Sequence, residues 1–207
     1  EDLKFLADSM AKLNEISSSE ELYKFVAEGI KKLSGDSIIV ISSHDPSSRT
    51  HRVEVIEGIG KHASSLLKLL GKDPVGMEFK IRDKYSAMRG KLIRLEDGIS
   101  DLTQGKIPKS VATGIKKLLG IGDIYSIDLV REKELMGNIT IIMKKGKKLE
   151  NKTVLETFIR QASIAHQRIL IRKQLEESEE KYRTVIENAN DGICIIKDGL
   201  IIFDNPR

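Results

Sequence analysis

Apolar residues recur along the chain with two different periods, and the alternation between them outlines a mixed fold. Leu3, Leu6, Met10 and Leu13 recur at spacings of three and four, which predicts a first helix with those residues on its buried stripe. Ser18 and Glu21 have capping-box spacing and mark the start of a second helix. That helix is expected to bury Leu22, Phe25, Val26, Ile30 and Leu33, with Gly35 suited to its end. The continuous apolar run Ser37–Ser42 predicts a strand covered on both faces. His44–His51 has turn chemistry, and Arg52–Glu57 returns with strand character, giving a hairpin. A helix is expected over 61–70. A strand with Met77, Phe79 and Ile81 on its buried face follows.

Residues 82–105 are the least regular stretch. They suggest a short helix near 83–89, a short strand at Leu92–Leu95 and a loop. Pro108 opens a helix with Val111, Ile115, Leu118 and Leu119 on its apolar side. Two alternating strands come next, at 123–130 and 137–143, joined by a turn at Arg131–Leu135. A long helix begins near Asn151. Leu155, Phe158, Ala162, Ala165 and Ile169 form one stripe along it. Ile164, Ile171, Leu175, Tyr182 and Val185 form a second, offset stripe with heptad character. The first half of the helix is therefore expected to pack on its own domain and the second half to pair with a partner helix. Glu177–Lys181 and Glu179–Arg183 have the spacing of favourable ion pairs. At the end, two short apolar strands flank a Lys197-Asp198-Gly199 turn. A hairpin this small cannot bury both faces alone, which predicts that the chain stops inside a further domain.

Composition narrows the class. With 40% hydrophobic and 32% charged residues, a folded, helix-rich protein is expected. Aromatic residues are 4% and Trp is absent, so the core must be aliphatic. No apolar run reaches the ~20 residues that span a bilayer. The single cysteine, Cys194, excludes an internal disulfide framework and any multi-cysteine zinc site, and fits a reducing cytoplasm. On its apolar strand it is expected to be a small core residue. The net charge of +4 is spread along the chain. Its densest cluster, Lys144–Lys148, has no aromatic neighbours for base stacking and reads as a solvated turn, so nucleic-acid binding is not expected.

No catalytic constellation stands out. Gly58-Ile59-Gly60-Lys61 precedes a helix, but a phosphate loop needs Ser or Thr where His62 stands, and Ala63 replaces the third glycine of a dinucleotide site. The pair reads as a strand-to-helix turn. His44, Asp45 and His51 could converge on a metal, but a Pro/Ser loop offers them little support, and they read as polar turn residues. His166 lies on the long helix without the adjacent acid and following proline of a phosphoacceptor histidine, and reads as a packing or surface residue.

Two resemblances organise these elements. The segment Ser178–Arg183, with Glu187–Ile193 and Phe203–Pro206, resembles a linker helix leading into the start of a PAS sensor domain, as in multi-domain sensor kinases. The order of elements over residues 1–170, with the helix Thr153–Ala165 as its most family-like part, resembles a GAF domain. The resemblance implies an α+β fold: an antiparallel sheet with flanking helices, a small-molecule pocket on one face, and terminal helices bundled on the other, often as a dimer. The expected organisation is a GAF-like sensory domain over 1–150, a linker or signalling helix over 151–190, and a truncated PAS hairpin over 191–207. The implied function is the sensory input of a cytoplasmic sensor histidine kinase, a homodimer with PAS and kinase domains downstream; an input module of a transcriptional regulator or a ligand-free scaffold is the alternative. The Asn-Lys…Phe…Asp-Glu pattern of cyclic-nucleotide GAF domains is missing, as is the in-domain cysteine of bilin-binding ones, so the ligand class stays unknown. His62, Tyr85, Ser110 and Tyr125 are the polar residues near elements that would rim the pocket.

Overall fold

The computed structural model describes residues 1–81, 90–96, 98–103, 105–131, 134–189, 192–198 and 200–205. They form two compact units, residues 1–166 and 167–207. The expected helix near 83–89 and Tyr85 lie outside the described residues.

The first unit is an α+β domain built on a six-stranded antiparallel sheet. Its strands are β1 (Ser37–Asp45), β2 (Thr50–Glu57), β3 (Glu78–Lys80), β4 (Ile93–Arg94), β5 (Ile121–Arg131) and β6 (Glu134–Lys144), in the order β3-β2-β1-β6-β5-β4. The central pair, β1 and β6, is the most apolar, because helices cover both faces of the sheet there. Ile38, Ile39, Ile41, Ile139, Ile141 and Met143 are all buried.

One face is covered by α1 (Asp2–Glu15), α2 (Ser19–Ser34) and the first part of α6 (Lys152–Glu187). The Ser18 hydroxyl accepts the Glu21 amide at 3.2 Å, so the capping signal places the start of α2 as expected. Gly35 ends it with a positive φ of 68°. On α1 the inward stripe shares Leu13 with the expected one and departs from it at Leu3 and Met10. Ser9, Leu13 and the following Ile16 are buried and Phe5 packs on Phe158, whereas Leu3 and Met10 face outward. The polar Ser9 on the inner stripe hid the true register from a reading based on apolar spacing. On α6, Leu155, Phe158, Ala162 and Ala165 are buried, as their spacing predicts. Phe158 is the hub of this layer, edge-on to Phe5 and Phe25 at centroid distances of 5.2 and 6.2 Å. It also lies over Gly29, where a Cβ would stand 2.6 Å from its ring.

The other face is covered by α3 (Ala63–Leu70), α4 (Ile99–Thr103) and α5 (Lys109–Leu119). The short α4 falls where a loop was expected. Five residues carry too little periodicity to register, and Thr103 steadies its end by donating to the Ile99 carbonyl at 2.9 Å. Gly58-Ile59-Gly60 forms a turn into a 3-10 helix at Gly60–His62. Gly58 has φ +90°, and a Cβ there would meet the Ser37 carbonyl at 2.5 Å. Glycine is therefore needed to close the sheet, with no phosphate invoked.

The second unit comprises the remainder of α6 and a two-stranded hairpin, β7 (Cys194–Lys197) with β8 (Leu200–Asp204). Asn205 ties the unit together. Its side chain accepts the Ile193 amide at 2.8 Å and donates to the Ile186 carbonyl near the end of α6 at 3.1 Å. Ile196, Leu200, Ile201 and Ile202 are exposed. Cys194 is exposed too, contrary to the expected core position, because two strands offer no second layer to bury it. The offset stripe of α6 is also exposed, at Ile171, Leu175, Tyr182 and Val185 in this unit and at Ile164 in the first. Its surface carries the ion pairs Arg172–Glu176 at 2.9 Å and Lys173–Glu177 at 3.8 Å, so Glu177 reaches back one turn where Lys181 was expected.

Candidate functional site

Strand alternation places Ile38, Val40 and Ser42 of β1 on the face toward α3–α5. Their cross-strand partners on β6 are Ile142, Thr140 and Asn138, and those residues in turn face Ile124, Ser126 and Asp128 of β5. The sheet therefore presents three rows of graded polarity: Ile124–Ile142–Ile38, then Ser126–Thr140–Val40, then Asp128–Asn138–Ser42. Above them lies a cavity of about 140 Å³. Leu66 and Leu70 of α3, Ile99 and Leu102 of α4, and Ile115 and Leu119 of α5 form its roof, and His51, Val53, Met77 and Phe79 close one side.

The polar groups are fixed at one end. Asn138 donates to the Ser126 hydroxyl and the Asp128 carboxylate, both at 2.8 Å, and its carbonyl accepts the Thr140 hydroxyl at 3.1 Å. Every Asn138 group is thus engaged within the sheet, and its position is set by that network. Thr140 retains acceptor capacity on its oxygen. Ser42 is buried and lines the cavity, and its hydroxyl makes no hydrogen bond among the described residues. No Lys, Arg, Asp or Glu lines the cavity among the described residues.

The described residues singled out from the sequence lie elsewhere. His62 sits in the 3-10 turn before α3, half-buried and off the cavity wall. Ser110 is exposed in the first turn of α5, whose inner residues Ile115 and Leu119 line the cavity instead. Tyr125 points to the opposite face, where Lys152 of α6 stacks on its ring at 5.3 Å. The polar lining residues Asn138 and Thr140 were passed over because polar positions on an alternating strand read as solvent-facing, and Ser42 because it ends an otherwise apolar run. The signal that could have found them is the helix-rich stretch 61–119, which has to cover that face.

The other candidate groups have structural partners. His44 and His51 face each other across the hairpin with ring centroids 5.6 Å apart, and His44 Nδ1 contacts the Thr50 carbonyl at 3.1 Å. The Asp45 carboxylate accepts the Ser47 amide at 2.9 Å and the Ser48 hydroxyl at 2.7 Å, which hold it below the usual carboxylate range. Among the described residues no group of three or more His, Cys, Asp or Glu could hold a metal ion. His166 is buried, with Nε2 2.9 Å from the Tyr23 hydroxyl. Burial alone pushes it down to about 4, and burial, with a contribution from the Glu54 charge, pushes the Tyr23 phenol up. Among the described residues no helix is long and apolar enough to cross a membrane.

No family model and no curated protein matches the sequence. Solved structures do match in three dimensions. The chromophore-binding domain of a bacteriophytochrome from R. palustris aligns with a TM-score of 0.60 at 10% identity, over 83% of this chain and 62% of that one. The chain thus spans about three fifths of that structure's length. The GAF domain of a phosphoenolpyruvate-protein phosphotransferase from Coxiella burnetii aligns at 0.57 with 15% identity, over 84% of this chain and 96% of that one. A domain of a putative two-component sensor histidine kinase from Sinorhizobium meliloti 1021 aligns at 0.53 with 16% identity, over 78% and 99%. At these identities the likeness is one of fold, and the fold of this chain is GAF-like.

Proposed function

We propose that this chain is a sensory input module of a signal-transduction protein, a sensor histidine kinase, and that the cavity is its ligand site. The observation that carries the proposal is that one sheet separates the cavity from α6. Ile124 packs in the apolar cluster on the cavity side, while its neighbour Tyr125 meets Lys152 on the α6 side. The Leu92 amide, just before β4, also donates to Glu156 of α6 at 3.1 Å. A ligand that binds one arrangement of the sheet better than another would bias the seat of α6, which is the requirement for coupling two sites. The exposed heptad stripe Ile171–Leu175–Tyr182–Val185 supports a homodimer through α6. The GAF-like fold, and its occurrence in a sensor-kinase domain, support the signalling role. The resemblance of the segment after α6 to a PAS start supports a kinase architecture in a cytoplasmic setting. This part of the chain contributes no catalysis.

Two measurements test the proposal. Val40→Phe, which fills the cavity, is expected to change autophosphorylation of the parent kinase while the protein remains folded by circular dichroism; unchanged output would sink the sensory role. Leu175→Glu with Tyr182→Glu is expected to convert a dimer to a monomer in sedimentation velocity, and undiminished association would remove α6 as the dimer element.

A further inference from the structure

The graded sheet face also defines the chemistry of what the cavity takes, an inference that rests on the cavity being the ligand site. Its volume is about 140 Å³. An apolar protein cavity of roughly 150 Å³ holds benzene. A tetrapyrrole or a cyclic nucleotide is far larger than that. The lining carries no Lys, Arg or carboxylate among the described residues, and His51 is the one ionisable side chain on it, so a buried ionic group on the ligand would meet no fixed counter-charge there. One end is nonetheless polar. Ser42 offers a hydroxyl with no hydrogen bond among the described residues, and Thr140, one pleat along on the neighbouring strand, offers an oxygen with acceptor capacity. The Ile38–Ile142 row and the Leu66, Ile115 and Leu119 side chains form the apolar end.

We propose that the ligand is a compact, uncharged single-ring or branched aliphatic molecule of about six to nine non-hydrogen atoms, carrying one hydroxyl or comparable neutral polar group. The apolar body lies against Ile38 and Ile142. The polar group donates to Thr140 Oγ1 and accepts from Ser42 Oγ. Asn138 is a positioning residue: bound to Ser126 and Asp128, it holds Thr140 from one side and takes no direct part. The polarity of the site thus selects a neutral hydrogen-bonding group, and its size selects a single ring.

Phenol, toluene and benzoate have bodies of similar size and differ in the group this site would read. The test is a titration of the full chain with each, followed by isoleucine methyl NMR. Phenol and toluene are expected to shift the Ile38 and Ile142 methyls, with phenol tighter and benzoate at least about tenfold weaker than phenol. Ser42→Ala is expected to weaken phenol by about three- to tenfold and leave toluene within about twofold. Thr140→Val gives the same discrimination from a second position if the first variant folds poorly. Benzoate binding as tightly as phenol, or equal loss of phenol and toluene in both variants, overturns the ligand class while leaving the cavity as a ligand site. No methyl shift with any of the three at millimolar concentration overturns the ligand site itself.

Discussion

Acidification provides a sharp test of how the helical layer is packed. His166 is 2% exposed, its Nε2 is joined to the Tyr23 hydroxyl, and its Nδ1 has no hydrogen-bond partner among the described residues. Protonation of the folded state would bury a cation there, which is why its pKa falls from 6.5 to about 4. In the unfolded chain the imidazole regains its ordinary value. Above pH 6.5 both states hold it neutral and stability does not depend on it. Between pH 6.5 and 4 the unfolded chain takes up a proton that the folded chain refuses, so stability falls as pH falls through this window. Below pH 4 both states are protonated and the loss stops. The full gap is worth about 3 kcal/mol, at about 1.4 kcal/mol per pH unit, and about 2.5 kcal/mol of it is lost between pH 7.5 and 4.5.

The assay is urea unfolding at pH 7.5 and 4.5, comparing the natural chain with Tyr23→Phe/His166→Leu. The double substitution avoids stranding the Tyr23 hydroxyl, which on its own would cost about 1–3 kcal/mol. Carboxylates such as Asp45 titrate in both proteins and cancel in the comparison. The natural chain is expected to lose about 2.5 kcal/mol more than the variant between the two pH values. An equal loss in both would refute the description, because it would mean that the imidazole is already solvated or protonated in the folded protein.

Three further outcomes follow from single contacts. Gly29→Ala should destabilise despite alanine's advantage of about 1 kcal/mol in helices: its Cβ would stand 2.6 Å from the Phe158 ring, and overpacking costs about 1–3 kcal/mol. Combining it with Phe158→Leu should recover part of the loss in thermal melts, and no recovery would place the clash elsewhere. Ser18→Ala removes the cap on the Glu21 amide and is expected to lower stability by about 1 kcal/mol, measured by urea titration. Asn205→Ala releases both the Ile193 amide and the Ile186 carbonyl, so hydrogen exchange at Ile193 should accelerate about tenfold; an unchanged rate would show that the hairpin is held without it.

The long periodic elements were legible because periodicity records burial directly. Leu155, Phe158, Ala162 and Ala165 are spaced for one covered stripe of α6, and that stripe is covered. Ser18 marked the start of α2 because its cap is a local bond. The stripe of α1 was displaced because a single polar residue, Ser9, packs inward, and α4 was too short to show a period. The site was the least legible part. His62, Ser110 and Tyr125 have the right chemistry and lie near the right elements, but orientation within an element decides which side chain reaches a cavity. Leu66 and Ile115 take those directions instead.

By itself the sequence determined the alternation of helix and strand, an aliphatic core without Trp, and a long helix with one apolar stripe more than its own domain needs. These follow from local spacing and composition, which need no partner to be read. The tertiary structure alone decided that Asp128, Asn138 and Ser42, drawn from three strands, stand in one row, and that Asn138 and Ser42 of that row line the polar end of a small aliphatic cavity. Register between strands distant in sequence is a non-local property, fixed by which faces the helices cover.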